Sequence, residues 1–135
     1  MSWKFKGELV TQEDLPEGME GFVYKITHLP SGKFYIGKKS LTSTRKLKPL
    51  KGYKRKRTVV KPSDWEKYYS SNEWIKEQVK DGNQSDFERE ILQFCPSKKS
   101  LTYYEIAWQF KLDVLTNQNS LNENILGKFY RRDLL

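Results

Sequence analysis

The chain has 135 residues, with 25 Lys and Arg against 17 Asp and Glu for a formal net charge of +8, and its hydrophobic share is 36%. That length fits one domain with a single modest core, and eight tyrosines, seven phenylalanines and four tryptophans supply an aromatic interior that argues against a disordered chain. No apolar run approaches a membrane span, MSWKFKGELV lacks the apolar region of a signal peptide, and a single Cys with a single His excludes a disulfide framework and a zinc site of the usual kind.

These features predict a soluble, cytoplasmic protein with no membrane partner. Residues 1–20 form a mixed lead-in, with a short helical turn at Thr11-Gln-Glu-Asp before Pro16. Gly21 to Thr27 (GFVYKIT) reads as a strand, His28 to Gly32 as a turn and Lys33 to Lys38 as a second strand. Gly32 can supply the positive φ that a short hairpin loop needs.

Residues 38–62 (KKSLTSTRKLKPLKGYKRKRTVVKP) hold 11 of the 25 basic residues and no acid, so the rest of the chain carries −3. The excess is one segment. Pro49, Gly52 and Pro62 spoil an amphipathic helix there, and the segment reads as a flexible, loop-like insertion. A block of like charge beside a hairpin points to phosphate-backbone binding, with Lys38, Lys39, Lys46, Lys48, Lys54, Arg55, Lys56 and Arg57 as candidate contacts. A solvated loop or a targeting signal is the plainer explanation of the same residues.

Ser63 and Glu66 have capping-box spacing, which predicts a helix from there to Gly82 with a break near Ser70-Ser71. Asp86 to Phe94 alternates like a third strand and stops before Pro96. Ser100 is expected to cap the helix LTYYEIAWQFKLDVL, and an Asn-rich, then basic-aromatic tail follows from Asn117. Neither an internal repeat nor a second domain is visible. The order of elements predicts one α+β domain over 1–135, with a small central three-stranded, antiparallel or mixed β-sheet flanked by helices.

On the clearest helix, Leu101, Tyr104, Trp108, Leu112 and Leu115 make one apolar stripe, and Glu105 projects from it as the only charge between Leu101 and Phe110. Burying a lone carboxylate costs at least several kcal/mol, so Glu105 needs either a metal or an ion pair, unless it reaches solvent at the edge of the stripe. Tyr24 and Tyr35 stand eleven residues apart in the hairpin. Core packing is the ordinary use of such residues. A phenol can also orient or deprotonate water, but its pKa of about 10 leaves little phenolate at neutral pH. Lys25, Lys38, Lys39 and Arg45 are the neighbouring cations that would have to lower it.

The pattern G-F-V-Y24, ten residues, Y35-I-G37 resembles the two-part signature of the GIY-YIG nucleases, and the eleven-residue step is that family's spacing. Phage-encoded members are the most similar in pattern, through YIGKKS and SDWEKYY. The family carries an arginine on its first helix eight residues after the second glycine, and Arg45 occupies that position. FEREILQFCPSKKSLTYYEIAW resembles the family's third strand, linker and metal-binding helix, with Glu105 at the metal ligand. Asn124, or Asn122 beside it, matches a late family asparagine. The resemblance covers residues 21 to about 127. It departs from the pattern at Pro49, where homing members have a histidine, and Tyr69 aligns with a second family histidine, with Tyr53 and Tyr68 as alternatives. His28, the one histidine, reads as solvent-facing.

What the resemblance implies is a metal-dependent DNA endonuclease. Tyr24 would take a proton from water beside Tyr35, Arg45 would clamp the phosphate, and Glu105, steadied by Asn124, would hold one Mg²⁺ or Mn²⁺ ion. The implied partner is double-stranded DNA, bound with weak sequence preference by a monomer or homodimer, or with specificity borrowed from a protein partner. A catalytically weak or inactive basic nucleic-acid-binding module on the same fold is the alternative.

Overall fold

A computed structural model describes residues 2–134. In chain order the strands are β1 (Trp3–Phe5), β2 (Glu8–Leu9), β3 (Gly21–His28), β4 (Lys33–Ser40), β5 (Thr42–Leu47), β6 (Arg57–Pro62), β7 (Phe87–Cys95), β8 (Asn124–Ile125) and β9 (Phe129–Tyr130). The helices are α1 (Glu73–Lys80), α2 (Lys98–Lys111) and α3 (Arg131–Leu134), and short 3-10 turns cover Gln12–Asp14, Trp65–Lys67 and Gln84–Asp86.

The architecture is α+β, as expected, around a mixed sheet in the order β2-β1-β7-β3-β4. The three expected strands, β3, β4 and β7, are joined by two from the lead-in, so the sheet has five strands rather than three. β1 runs parallel to β7, and the other pairings are antiparallel. Strands of three and two residues are too short to show a period in sequence. β1 is held instead by Trp3, which is buried and whose indole N–H donates to the carbonyl of Trp65 at 2.7 Å.

Alternation assigns the faces of β3. Phe22, Tyr24 and Ile26 share a core with Trp3, Trp65, Ile75 and Phe87, whereas Val23 points the other way into a core with Ile36, Cys95, Leu101 and Val114. The second core lies under α2, which packs across β3, β4 and β7. Both faces of β3 are therefore covered, which explains its nearly continuous burial.

β4 is an edge strand, and the chain past α2 covers part of it. Phe34 donates to the Asn119 carbonyl at 2.9 Å and accepts from Leu121 N–H at 2.7 Å. The Asn122 amide then takes the next position: its oxygen accepts from Ile36 N–H at 3.0 Å and its nitrogen donates to Ile36 C=O at 2.9 Å. One side chain does for Ile36 what a paired strand would do.

Several local expectations change. The basic segment is not a loop: β5 and β6 pair antiparallel from Thr42↔Pro62 to Leu47↔Arg57 as a two-stranded ribbon. It takes the place of the helix on which Arg45 was expected. No α-helix starts at Ser63, because the Ser63 hydroxyl donates to the Ser40 carbonyl at 2.6 Å and closes the base of the ribbon. Asn72 is the actual cap, its side-chain oxygen accepting from Ile75 N–H at 3.0 Å. The last long helix begins three residues earlier than expected, since Ser97 caps it and Ser100 is the reciprocal partner inside the first turn. His28 is packed rather than solvent-facing, with its ring 4.9 Å from that of Trp74 and 5.1 Å from that of Phe87.

Candidate active site

The site begins with a missing side chain. β3 and β4 place Tyr24 directly opposite Gly37, and the Tyr24 ring lies across that glycine. A Cβ at residue 37 would meet the Tyr24 hydroxyl and stand 2.6 Å from Cζ. The glycine of the second motif thus opens the passage through which the first tyrosine extends over the edge strand. This is a close-approach glycine, required by space rather than by a positive φ.

Tyr24 is 1% exposed. The Tyr68 ring meets it edge-on, with ring centroids 5.9 Å apart. The Tyr35 ring is 6.3 Å away, and the Tyr35 hydroxyl meets Ser71 Oγ at 3.2 Å. Lys39 lies 4.3 Å over the Tyr68 ring and pairs with Asp64 at 2.7 Å, so its charge is committed to this wall. That contact draws the Asp64 carboxyl below the usual range.

Glu105 enters from the opposite element. Leu101, Glu105 and Gln109 form the i, i+4 row of α2 that faces the sheet, with Leu101 and Gln109 both buried. Tyr104, expected on that stripe, is 39% exposed and lies beside it. Burial lifts the Glu105 carboxyl above its usual range, against the opposing pull of the Lys38 charge. Lys38 itself donates to Thr102 Oγ1 at 2.7 Å, one turn before Glu105.

The charge of Glu105 acts on both hairpin phenols. Tyr24 lies well above the normal phenol range, chiefly because it is buried and then through Tyr68, Tyr35 and Glu105. Tyr35 is raised by burial and by Glu105, with the Ser71 hydrogen bond opposing. The expected lowering by Lys25, Lys38, Lys39 and Arg45 does not occur at either phenol, so both carry their protons at neutral pH. They are poised to donate and relay rather than to act as phenolates.

The structure thus gathers Tyr24, Tyr35 and Glu105, and adds Tyr68, Ser71, Lys38 and Thr102. Arg45 is elsewhere: it is exposed on β5, in register with Val59. Tyr69 turns toward the core side, where the Arg89 guanidinium sits 4.1 Å over its ring. Tyr53 is exposed at the ribbon tip. Asn124 is exposed, and its side chain accepts from Gly127 N–H at 2.9 Å. Asn122 is the asparagine bonded to the YIG strand. Lys46, Lys48, Lys54, Arg55, Lys56 and Arg57 all lie exposed on the ribbon. Ser71 and Thr102 have no signature of their own in the sequence. Only Thr102's position three residues before Glu105 could have suggested it.

Tyr68 and Tyr69 also line an open cleft of about 390 Å³, together with Asp64, Lys67, Lys76 and Lys80. Among the described residues no three His, Cys, Asp or Glu side chains cluster as a metal cage. The donor set nonetheless fits a hydrated divalent ion. Mg²⁺ is commonly held by one or two carboxylates while keeping several waters, and Glu105 is a half-buried carboxylate whose ionised form would gain from a cation.

Comparison with known proteins returned one family. The model described as "Putative endonuclease segE, GIY-YIG domain" matches residues 3–131, nearly the whole chain. No curated protein and no solved structure matches significantly.

Proposed function

The chain belongs to the GIY-YIG endonuclease family, whose domain implies a DNA substrate, and we propose that it hydrolyses DNA phosphodiester bonds with a divalent ion at Glu105. The observation that carries this reading is the pair of hairpin phenols, with ring centroids 6.3 Å apart, on two strands against which α2 packs with its half-buried Glu105, one turn past the Thr102 that Lys38 of the second motif's strand contacts. A structural ion pair does not account for that carboxylate, because no lysine or arginine lies within ion-pairing distance of Glu105 among the described residues.

Glu105 would hold Mg²⁺ or Mn²⁺, which when bound supplies charge stabilisation to the departing 3′-oxygen. Tyr24 takes a proton from the attacking water as it passes its own to Tyr68. The half-buried Tyr68 lines the open cleft and releases a proton to solvent there. This relay needs no phenolate and is compatible with the raised Tyr24 pKa. Tyr35, fixed by Ser71, donates to the water or to the phosphate. Lys38, which reaches Thr102 one turn before Glu105 and whose charge acts on that carboxylate, contacts a non-bridging oxygen, whereas Arg45 contacts the same DNA from the ribbon. Asn122 holds Ile36, and through it the strand carrying Tyr35 and Gly37.

The test is supercoiled plasmid incubated with Mg²⁺ or Mn²⁺, with an EDTA control. Nicked or linear product only when the metal is present supports the reading. DNA shifted in a gel but intact under every metal condition would leave the basic binding module in its place.

A further inference from the structure

The ribbon is built like a part that needs a partner. A lone two-stranded hairpin is marginal in water, yet β5 and β6 run six paired residues each, and almost every side chain is exposed. They carry no acid, and the charge they present is left unmatched.

Register resolves this charge into two faces, because residues directly opposite in an antiparallel pair share a side. One face holds Ser43 with Lys61, Arg45 with Val59, and Leu47 with Arg57. The other holds Thr42 with Pro62, Thr44 with Val60, and Lys46 with Thr58. Lys61, Arg45 and Arg57 therefore alternate between strands along one face, two residues apart, or about 7 Å per step. Apolar Val59 and Leu47 stand between them. Beyond the paired region the tip, residues 48–56 (KPLKGYKRK), adds Lys48, Lys51, Lys54, Arg55 and Lys56.

We propose that the β5–β6 ribbon enters the major groove of duplex DNA with the Arg45, Arg57 and Lys61 face toward the bases, while the tip grips flanking phosphates. Width selects the groove. The major groove, about 12 Å across, admits a two-stranded ribbon as it stands, whereas the minor groove, about 6 Å across, takes strands only when the duplex is deformed. Chemistry selects the face. The guanidinium fork matches the O6 and N7 acceptors of guanine, and Val59 and Leu47 suit thymine methyl groups. The opposite face is half Thr, with one cation. This placement rests on the nuclease reading for its DNA partner, and it makes Arg45 a groove-reading residue.

The test uses the full chain in EDTA, which prevents cutting, on a mixed-sequence duplex treated with dimethyl sulfate. The wild-type complex should protect guanine N7, which lies in the major groove, and leave adenine N3 in the minor groove reactive. R45A/R57A/K61A should lose the N7 protection and weaken binding by about tenfold or more. K54A/R55A/K56A should keep that protection while its log–log salt slope flattens by about 2.7, for three phosphate contacts. All six positions are exposed, and matching melting temperatures check that the variants fold. Unprotected N7, protected N3, or full N7 protection in R45A/R57A/K61A would each overturn the proposal. The two readings fail separately: metal-dependent cutting without N7 protection leaves a nuclease with an idle ribbon, and N7 protection without any cutting leaves a groove binder.

Discussion

Gly37→Ala perturbs the geometry of the site with the smallest change available. The added methyl would stand 2.6 Å from Tyr24 Cζ and closer still to the hydroxyl, whereas ordinary contact begins near 3.4 Å. The phenol must therefore retreat by roughly 0.8 Å at the atom bearing its oxygen. It has little room, since Trp3 and Tyr68 lie at 5.5 and 5.9 Å centroid separation on its other sides. Overpacking of this kind costs about 1–3 kcal/mol, which lowers the melting temperature by several degrees in a domain of this size. A displacement near 1 Å at a reacting group costs about 10²-fold in rate. The assay is single-turnover cleavage of supercoiled plasmid, alongside a duplex-binding measurement in EDTA, where the exposed ribbon should bind as before. Cleavage at the wild-type rate with an unchanged melting temperature would refute the argument that Tyr24 works through the space over Gly37.

Tyr68→Phe should lower the cleavage rate by about 10²-fold or more, the range of a lost acid–base group, whereas Tyr69→Phe should stay near wild type; single-turnover rates compare them. Asn122→Ala should destabilise the fold by about 1–3 kcal/mol for each Ile36 group left unpaired, and Asn124→Ala by less than about 1 kcal/mol; urea unfolding reads both. Glu105→Gln should raise the melting temperature of the metal-free protein at neutral pH. The Glu105 carboxyl has a folded pKa above its ordinary 4.5, so the folded state binds the extra proton, and wild-type stability falls as pH rises through that folded value. The difference between variant and wild type should then close as the pH is lowered toward 4.5, and pH-dependent melts follow it.

Legibility in the sequence tracked the length of the pattern. β3, β4, β7 and α2 are long enough for alternation or helical spacing to show, and Gly37 and Glu105 lie on them, so the elements that carry these two residues could be read directly. β1 and β2 could not, because five residues in two strands carry no period and depend on Trp3 finding the Trp65 carbonyl 62 residues away. The ribbon was hidden by charge. RTVVKP is strand-prone, but β5 is mostly polar and the pairing is closed by Ser63, whose spacing to Glu66 suggested a helix instead. That Tyr68 packs against Tyr24 while Tyr69 meets Arg89 turns on one residue of phase in an irregular segment. The asparagine pair posed a similar problem: Asn122 bonds Ile36, and Asn124, two residues on, closes its own turn.

Titration with Mn²⁺ followed by electron paramagnetic resonance measures the ion at the site without relying on turnover. The wild-type chain should take up one ion, Glu105→Gln should show little uptake at the same concentrations, and plasmid cleavage should rise in step with occupancy. Equal uptake by both chains, or cutting by Glu105→Gln at the wild-type rate, would contradict the account.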